Sequence, residues 1–333
     1  LHFFSYTMEG KPFAIIETDG HSGDAGTKTR VEAFLHCVHE DEGAARERQA
    51  NDLGRVERRN AALDDLLRER ATLLIPRMGP GAEALAAALH GLDIPAEALP
   101  MPDRETMRLG RRHTSGKECV PMTVTLGSLL QRLEAEPDPE RKFGFLMPTA
   151  YGPCRFGAYN VLHKVVLERL GFADRVKIFS PSFSSYFAGL PDGFPALAFT
   201  AFMATDLLLD ALYYVRPVET RRGAAEEIFT RYRAELFELL EEAGREDLSA
   251  PGVLLQVASG NLFGCTALLD RAATELARVK GDEQVPTVMH VGEIYVRCDP
   301  FANDFVVEKL EERGIRVHFA PFNEWLEYAD YIN

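Results

Sequence analysis

The chain is short of basic residues. It has 37 lysines and arginines against 51 aspartates and glutamates, which gives a formal net charge of -14 at pH 7. Contacts with nucleic-acid phosphates need a surplus of lysine and arginine, so this balance argues against a general nucleic-acid-binding protein. We therefore expect no nucleic-acid partner.

Cysteine is also scarce, and the five cysteines follow no regular short spacing. A disulfide scaffold needs a denser framework, and we see no secretory leader, so the reducing cytoplasm is the expected location. The chain begins with Leu1 rather than Met, which fits a piece of a longer polypeptide.

Long uninterrupted apolar runs are missing as well. The most apolar stretch, Phe194 to Val215, contains Thr200, Thr205, Asp206 and Asp210. We interpret it as a buried or amphipathic helix, and we predict no transmembrane segment and no membrane partner. Since 46% of the 333 residues are hydrophobic, the chain can still bury a large core.

Short apolar runs alternate with helical patterns along the chain. Strands are predicted at 12–18, 73–76, 143–148, 176–180, 253–255, 287–291 and 317–319. Helices are predicted from the turn after residue 26 through 38, and at about 40–71, 81–92, 119–133, 154–170, 190–245, 262–280 and 302–313. Such alternation indicates parallel sheets with helices on their faces.

We therefore predict an α/β fold of two Rossmann-like parallel-sheet units with a helical insertion. The first unit, residues 1–185, contains the long charged helix and two cysteines, Cys119 and Cys154. The second unit, residues 186–333, begins with the helical segment and ends with the second sheet.

These two cysteines are predicted to lie at strand-to-helix turns, where open α/β folds gather ligands. A thiol beside Lys117 or Arg155, at a helix N-terminus, is easily deprotonated and becomes a soft metal ligand or a nucleophile. Two isolated cysteines are not a Cys-x-x-Cys pair, so buried inert thiols are an equal alternative on spacing alone.

Cys265 and Cys298 also follow predicted strands, and we consider both as metal ligands, with simple packing as the alternative. His21, in the glycine-rich loop 19–26, is a further candidate, although such loops often use their side chains to hold themselves together. The pair His36 and His39 is interpreted as a surface pair, because no third and fourth ligand can be identified.

Three other sequence patterns are not predicted to form a functional site. Cys37, on the helix of the histidine pair, is predicted to be packed. The segments 110–118 and 26–29 resemble phosphate-binding loops but lack the required spacing, so nucleotide binding by this chain is not predicted.

Four separated segments together resemble a known family. They are Asp19 to Phe34 (DGHSGDAGTKTRVEAF), Thr114 to Cys119 (TSGKEC), Pro148 to Gly157 (PTAYGPCRFG) and Val291 to Arg297 (VGEIYVR). In this order they resemble the carboxyl-terminal portion of the large activase-associated proteins related to 2-hydroxyacyl-CoA dehydratases. These proteins are similar to benzoyl-CoA reductase subunits and to double-cubane cluster proteins. The resemblance spans almost the whole chain.

The resemblance implies two α/β subunits or modules that hold an oxygen-sensitive iron–sulfur cluster, of the 4Fe-4S or double-cubane type, between them. A separate activator that hydrolyses ATP would supply low-potential electrons, so ATP would bind to that partner and not to this chain. Cys119 and Cys154 would be thiolate ligands. Further ligands would come from Cys298, Cys265 or another chain. Many relatives are expected to lack a cysteine at the position of Cys298, which is therefore a departure from the family pattern or a subfamily trait.

Several polar residues near these segments are candidates for the surrounding site. His113, Lys117, Arg155 and Glu293 are candidate catalytic residues, and Ser115 and Arg155 are candidates for binding the cofactor. Arg297 is a candidate for lining the same crevice. Helix capping and surface contacts are the plainer alternative for each of them.

The sequence thus predicts the cluster-binding component of an ATP-dependent reductase or dehydratase. It would work with a sister subunit and an activator on a small-molecule or acyl-CoA substrate. Two alternatives stay open. One is a non-catalytic scaffold whose cysteines are structural or bind zinc. The other is a cysteine-nucleophile enzyme, for which His113 is the histidine nearest to Cys119 in sequence.

Overall fold

The computed structural model describes residues 2–9, 11–16, 24–42, 56, 60–149, 154–182, 187–322 and 324. The described helices are α1 His2–Thr7, α2 Asp24–Glu42, α3 Leu63–Arg68, α4 Gly81–Gly91, α5 Arg104–Arg112, α6 Val120–Glu134, α7 Tyr159–Arg169, α8 Phe194–Val215, α9 Ala224–Arg245, α10 Ala250–Ser259, α11 Cys265–Val279, α12 Ile294–Cys298 and α13 Val306–Glu311. The strands are β1 Asn60–Ala61, β2 Thr72–Ile75, β3 Ala96–Ala98, β4 Phe143–Leu146, β5 Val176–Phe179, β6 Thr287–His290 and β7 Arg316–Phe319. The predicted α/β class is confirmed.

The main sheet has five parallel strands in the order β1-β5-β4-β2-β3. From β2 the chain first moves outward to β3, then returns to the other side of β2 to form β4 and moves on to β5. The direction of winding therefore reverses between β2 and β4. In open α/β sheets this switch point leaves a crevice at the carboxyl ends of the two strands, where ligands bind.

Both faces of the main sheet are buried, as expected for parallel strands. Leu74 and Phe145 face α6 and α7, whereas Leu73 and Ile75 face α4, α8 and α9. This alternation follows from the two-residue period of a strand, which sends successive side chains to opposite faces. Each fully buried side chain of this size contributes about 2 kcal/mol through the hydrophobic effect.

The second sheet consists of β6 and β7, which are parallel. Helix α8 packs against β7 and also against α4 of the main sheet. Accordingly, Phe319 and Val317 of β7 belong to the same apolar core as Ile75 of β2. The apolar core thus runs across residue 185, and the two-unit division at that residue stays a prediction.

Helices α5 and α6 cross with their backbones nearly in contact. A Cβ atom on Gly127 would lie 1.9 Å from the carbonyl oxygen of Thr106, and one on Gly110 would lie 1.9 Å from the carbonyl oxygen of Thr123. No side chain fits at either position without moving the backbone. The crossing therefore fixes the two helices against each other and, with them, the turn that joins them.

Two predicted strands are wrong. Residues 12–16 have no regular secondary structure, and Ile15 is 44% exposed. Residues 253–255 lie inside helix α10. Two signals set the start of this helix: the Ser249 side chain accepts a hydrogen bond from the N–H of Gly252, and a proline lies in the first turn. Three adjacent apolar residues suggested a buried strand, but Leu254 and Leu255 are 68% and 69% exposed.

The single charged helix predicted over 40–71 is also wrong within the described residues. Helix α2 ends at Glu42, and a short strand and a short helix, β1 and α3, occupy residues 60–68. Strand β1 forms because residues 60–61 pair in parallel with β5. Asp65 accepts a hydrogen bond from the N–H of Ala62 and so caps the first turn of α3. Residues 43–55 and 57–59 lie outside the described residues.

The apolar stretch at 194–215 is helical, as predicted. Together with the turn that follows, it is long and apolar enough to cross a membrane by length and composition, and half of its most apolar window is buried inside the fold. Core helices of globular proteins meet the same criteria, so the expectation of no membrane span remains a prediction.

Candidate functional site at the switch point of the main sheet

Cys154 lies between β4 and the 3-10 turn Arg155–Ala158 that leads into α7. The predicted strand-to-helix position of Cys154 is confirmed. Its thiol is exposed. Because β4 is one of the two strands that flank the switch point, Cys154 lies on a loop at the edge of the crevice.

Cys119 is the N-cap residue of α6 and is half-buried. It follows helix α5 and not a strand, so the prediction of a strand-to-helix turn is wrong for this cysteine. Helix α5 forms because Asp103 accepts a hydrogen bond from the N–H of Thr106 and caps its start. The turn that carries Cys119 therefore joins two helices, and it is held by their close crossing.

Tyr159, the first residue of α7, links that helix to Cys119. Its hydroxyl is hydrogen-bonded to the sulfur of Cys119. The pKa of Tyr159 is raised, first by burial, then by this hydrogen bond, and further by the negative charges of Cys119, Glu293 and Cys154. Tyr159 thus contacts Cys119 directly, whereas Cys154 and Glu293 affect its pKa only through their charge.

Glu293 reaches this site from the far end of the sequence. It is the N-cap residue of α12, and its side chain accepts a hydrogen bond from the N–H of Val296 at 2.9 Å. Helix α12 contacts α6, the helix that begins after Cys119. The motif that contains Glu293 is thus placed beside the helix that begins after Cys119.

Arg155 and Lys117 connect the two cysteine-bearing loops. The Nη1 atom of Arg155 donates a hydrogen bond to the carbonyl oxygen of Lys117 at 2.8 Å. Within the Cys119 loop, Ser115 donates a hydrogen bond to Glu118 at 2.7 Å. Ser115 therefore holds its own loop, while Arg155 holds the Cys154 loop against it.

His113 ends α5 at its C-cap position. Burial lowers the pKa of His113, and the positive charge of Arg112 lowers it further. A neutral imidazole is thereby favoured at this position. No hydrogen bond between His113 and Cys119 is found among the described residues, so the pairing that a cysteine-nucleophile enzyme requires is not formed here.

Cys265 and Cys298 are placed differently from the first pair. Cys265 begins α11 after another helix and a 3-10 turn, so its predicted position at a strand end is wrong. Cys298 is the last residue of α12. Both are buried members of the apolar core, and burial raises the pKa of each thiol to about 12.

The other sequence candidates lie on α2 or beyond the described residues. His36 and His39 are exposed on α2, as predicted for a surface pair. Cys37 is exposed, so its predicted packing is wrong. His21 lies outside the described residues.

The loop after β2 lies close to the end of α12. Arg77, in the loop after β2, forms an ion pair with Glu83 at 3.0 Å, and its charge also acts on the buried carboxylate of Asp299. Burial is the larger effect and raises the pKa of Asp299. A Cβ atom on Gly79 in the same loop would lie 3.2 Å from the carbonyl oxygen of Cys298. The β2 loop and the end of α12 therefore pack closely.

The sequence did not single out Tyr159 or Arg77. Tyr159 lies five residues after Cys154, on the first turn of the helix that follows it, and this spacing is the one local signal for it. Arg77 follows the apolar run of β2 directly and precedes a glycine turn. That pattern marks the carboxyl end of a strand, where side chains reach a ligand crevice.

The donor set of the crevice fits part of a metal–thiolate site. Cys119 and Cys154 provide two thiols, while a four-iron cluster uses three or four thiolates and a structural zinc uses four ligands. Within the described ranges, no three cysteine, histidine or acidic side chains are grouped so that they could hold a metal ion. The remaining donors of such a site would have to come from other residues or from another chain.

Comparisons with protein-family models, with curated proteins and with solved structures find no match for this chain.

Proposed function

We propose that this chain is the iron–sulfur-binding component of a low-potential reductase or dehydratase system, and that Cys119 and Cys154 are cluster ligands. The observation that carries the proposal is that two hydrogen bonds join the cysteine loops: Arg155 donates to the carbonyl oxygen of Lys117, and the hydroxyl of Tyr159 is bonded to the sulfur of Cys119. The Cys154 loop follows β4, which flanks the switch point, the position where open α/β sheets bind ligands.

The environment of the two thiols supports this role better than that of the other cysteines. Cys119 lies at the N-terminus of α6, whose free N–H groups favour negative charge, and Cys154 precedes the turn that leads into α7. Arg155 adds a positive charge between their loops. Both thiols are also accessible to a metal, because Cys119 is half-buried and Cys154 is exposed.

When bound, an iron–sulfur cluster supplies strongly reducing single electrons. The residues of this chain would hold two of its thiolate positions and keep the Cys154 loop against the Cys119 loop through Arg155. Glu293 has an exposed carboxylate at the same crevice and would hold or move a proton there, or orient a substrate.

The proposal includes partners. Two thiolates do not fill the ligand shell of a four-iron cluster, so a sister subunit or module would supply the rest. A separate ATP-hydrolysing activator would deliver the electrons, and a small molecule or an acyl-CoA would receive them. The acidic balance of the chain, with a net charge of -14, favours basic surfaces on these partners.

The test is anaerobic purification of the chain, alone and together with a candidate sister chain, followed by counts of iron, acid-labile sulfide and zinc. We expect a brown protein that contains iron and sulfide. Cys119→Ala and Cys154→Ala should each lose most of the iron. Cys37→Ala should retain it, because Cys37 is an exposed cysteine on α2 and is not part of the crevice.

Two results would contradict the proposal. Iron that is unaffected by both substitutions would place the cluster elsewhere. A colourless protein that contains zinc, lost in the same two variants, would favour the second candidate function, a binding or scaffold module. The observation behind that alternative is the small donor set, since a zinc ion shared between two chains could use two thiolates from each.

A further inference from the structure

The ring of Tyr159 is held firmly beneath Cys119. Tyr159 is 7% exposed, and the ring of Phe156 packs edge-on against it with centroids 5.4 Å apart. Its carbonyl oxygen accepts a hydrogen bond from Nδ1 of the fully buried His163 at 2.6 Å. Because the phenol is anchored on both the ring and the backbone, its hydroxyl has a fixed position and the cysteine side chain must adapt to it.

The direction of the hydrogen bond follows from the chemistry of sulfur. A thiolate or a metal-bound cysteine sulfur has no proton, so the phenol must donate. A hydrogen bond to a charged acceptor is stronger than one between neutral groups, and it occupies one lone pair of the sulfur. The contact is therefore strongest in the state in which Cys119 would act.

We propose that Tyr159 is a positioning residue for Cys119: its hydroxyl donates a hydrogen bond to the sulfur, fixes the side-chain rotamer of Cys119 and lowers the electron density on the sulfur. Where Cys119 ligates a cluster, a statement that rests on the function proposed above, the same bond stabilises the reduced cluster and makes its midpoint potential less negative.

The first test does not depend on any cluster. The apo chain is alkylated with iodoacetamide at alkaline pH, where the rate no longer rises with pH, and modification of Cys119 and Cys37 is followed by peptide mass spectrometry. Tyr159→Phe removes the hydroxyl and keeps the ring. We expect the limiting rate at Cys119 to rise roughly threefold to tenfold, because the freed lone pair is more nucleophilic. The rate at Cys37 should not change.

Tyr213→Phe is the matched control, since Tyr213 is also 7% exposed but packs against Phe319. It should leave the rate at Cys119 unchanged. An unchanged rate in Tyr159→Phe would overturn the proposal. Equal increases in both variants would also overturn it, because the cause would then be loosened packing.

The second test uses the chain with its cluster. Tyr159→Phe should retain its iron and show a more negative midpoint potential than the wild type, whereas Tyr213→Phe should not. An unchanged potential with full iron would contradict the role of Tyr159 and leave the proposed function standing. A wild type without iron would contradict the proposed function, and the alkylation rates would still decide the role of Tyr159.

Discussion

The two pairs of cysteines follow similar sequence patterns and have opposite surroundings. Cys119 and Cys154 lie at helix starts on the edge of the crevice. Cys119 is half-buried and Cys154 is exposed. Cys265 and Cys298 lie in the apolar core, 1% and 8% exposed. A cysteine at the start of a helix is thus no guide to its chemistry. Whether its thiol meets solvent and charge, or only apolar side chains, decides whether it reacts.

The largest expected difference between the pairs is their reactivity in the native protein. Burial raises the pKa of Cys265 and of Cys298 from 9.0 to about 12, so their thiolate fraction at neutral pH falls by about a thousandfold. In native-state alkylation followed by mass spectrometry, Cys119 and Cys154 should be modified while the core pair is not. All should react in denaturant. Rapid native modification of Cys265 would show that the core opens at that point.

The acid sensitivity of the folded protein tests the burial of a histidine in its interior. Burial lowers the pKa of His163, which lies behind Tyr159, from 6.5 to about 4. Between these values the unfolded chain binds the proton and the folded chain does not. Stability is therefore full above pH 6.5 and is lost as the pH falls towards 4, by about 3 kcal/mol in total.

The measurement for this prediction is urea denaturation of the wild type and of His163→Gln at neutral pH and near pH 4. The variant cannot take up this proton, so the difference between the two proteins should shrink as the pH falls. Equal losses of stability in both proteins would show that other groups, such as carboxylates, cause the acid sensitivity.

The smallest expected difference between the pairs is the change in the free energy of unfolding when a cysteine is replaced by serine. Cys265→Ser places a hydroxyl in the apolar core and should lower the free energy of unfolding by about 2 kcal/mol. Cys154→Ser, at an exposed position, should change it by less than about 0.5 kcal/mol. Denaturant unfolding curves measure both. Equal effects would mean that the serine hydroxyl at position 265 finds a hydrogen-bond partner in the core. The two pairs would then not differ in how they tolerate a polar group.

Much of the fold could be predicted from the sequence, because local patterns determine it. Strands β2, β4 and β5 are short apolar runs that end at turns, and the intervening helices have clear start signals. The same reasoning gave a wrong prediction for residues 253–255. Its apolar residues look like a strand locally, but the Ser249 cap and the following proline specify a helix.

The site was predictable only in part. The sequence places Cys119 and Cys154 in separate motifs, and the contact between their loops depends on how distant parts of the chain pack. The hydrogen bond from Tyr159 joins α7 to the start of α6, a contact between distant parts of the chain that no local pattern encodes. The predicted position of Cys265 at a strand end was wrong because residues 253–255 form a helix, and its burial depends on helices that pack from elsewhere in the chain.

The place of β1 in the main sheet constrains the order in which the chain can fold. Among the described strands, β1 comes first in sequence, yet Asn60 pairs with Ile178 of β5, the last strand of that sheet. During synthesis, β1 leaves the ribosome before its partner, which is made only after β2, β3 and β4. The earliest described strand can therefore join the sheet only after β5 has been made.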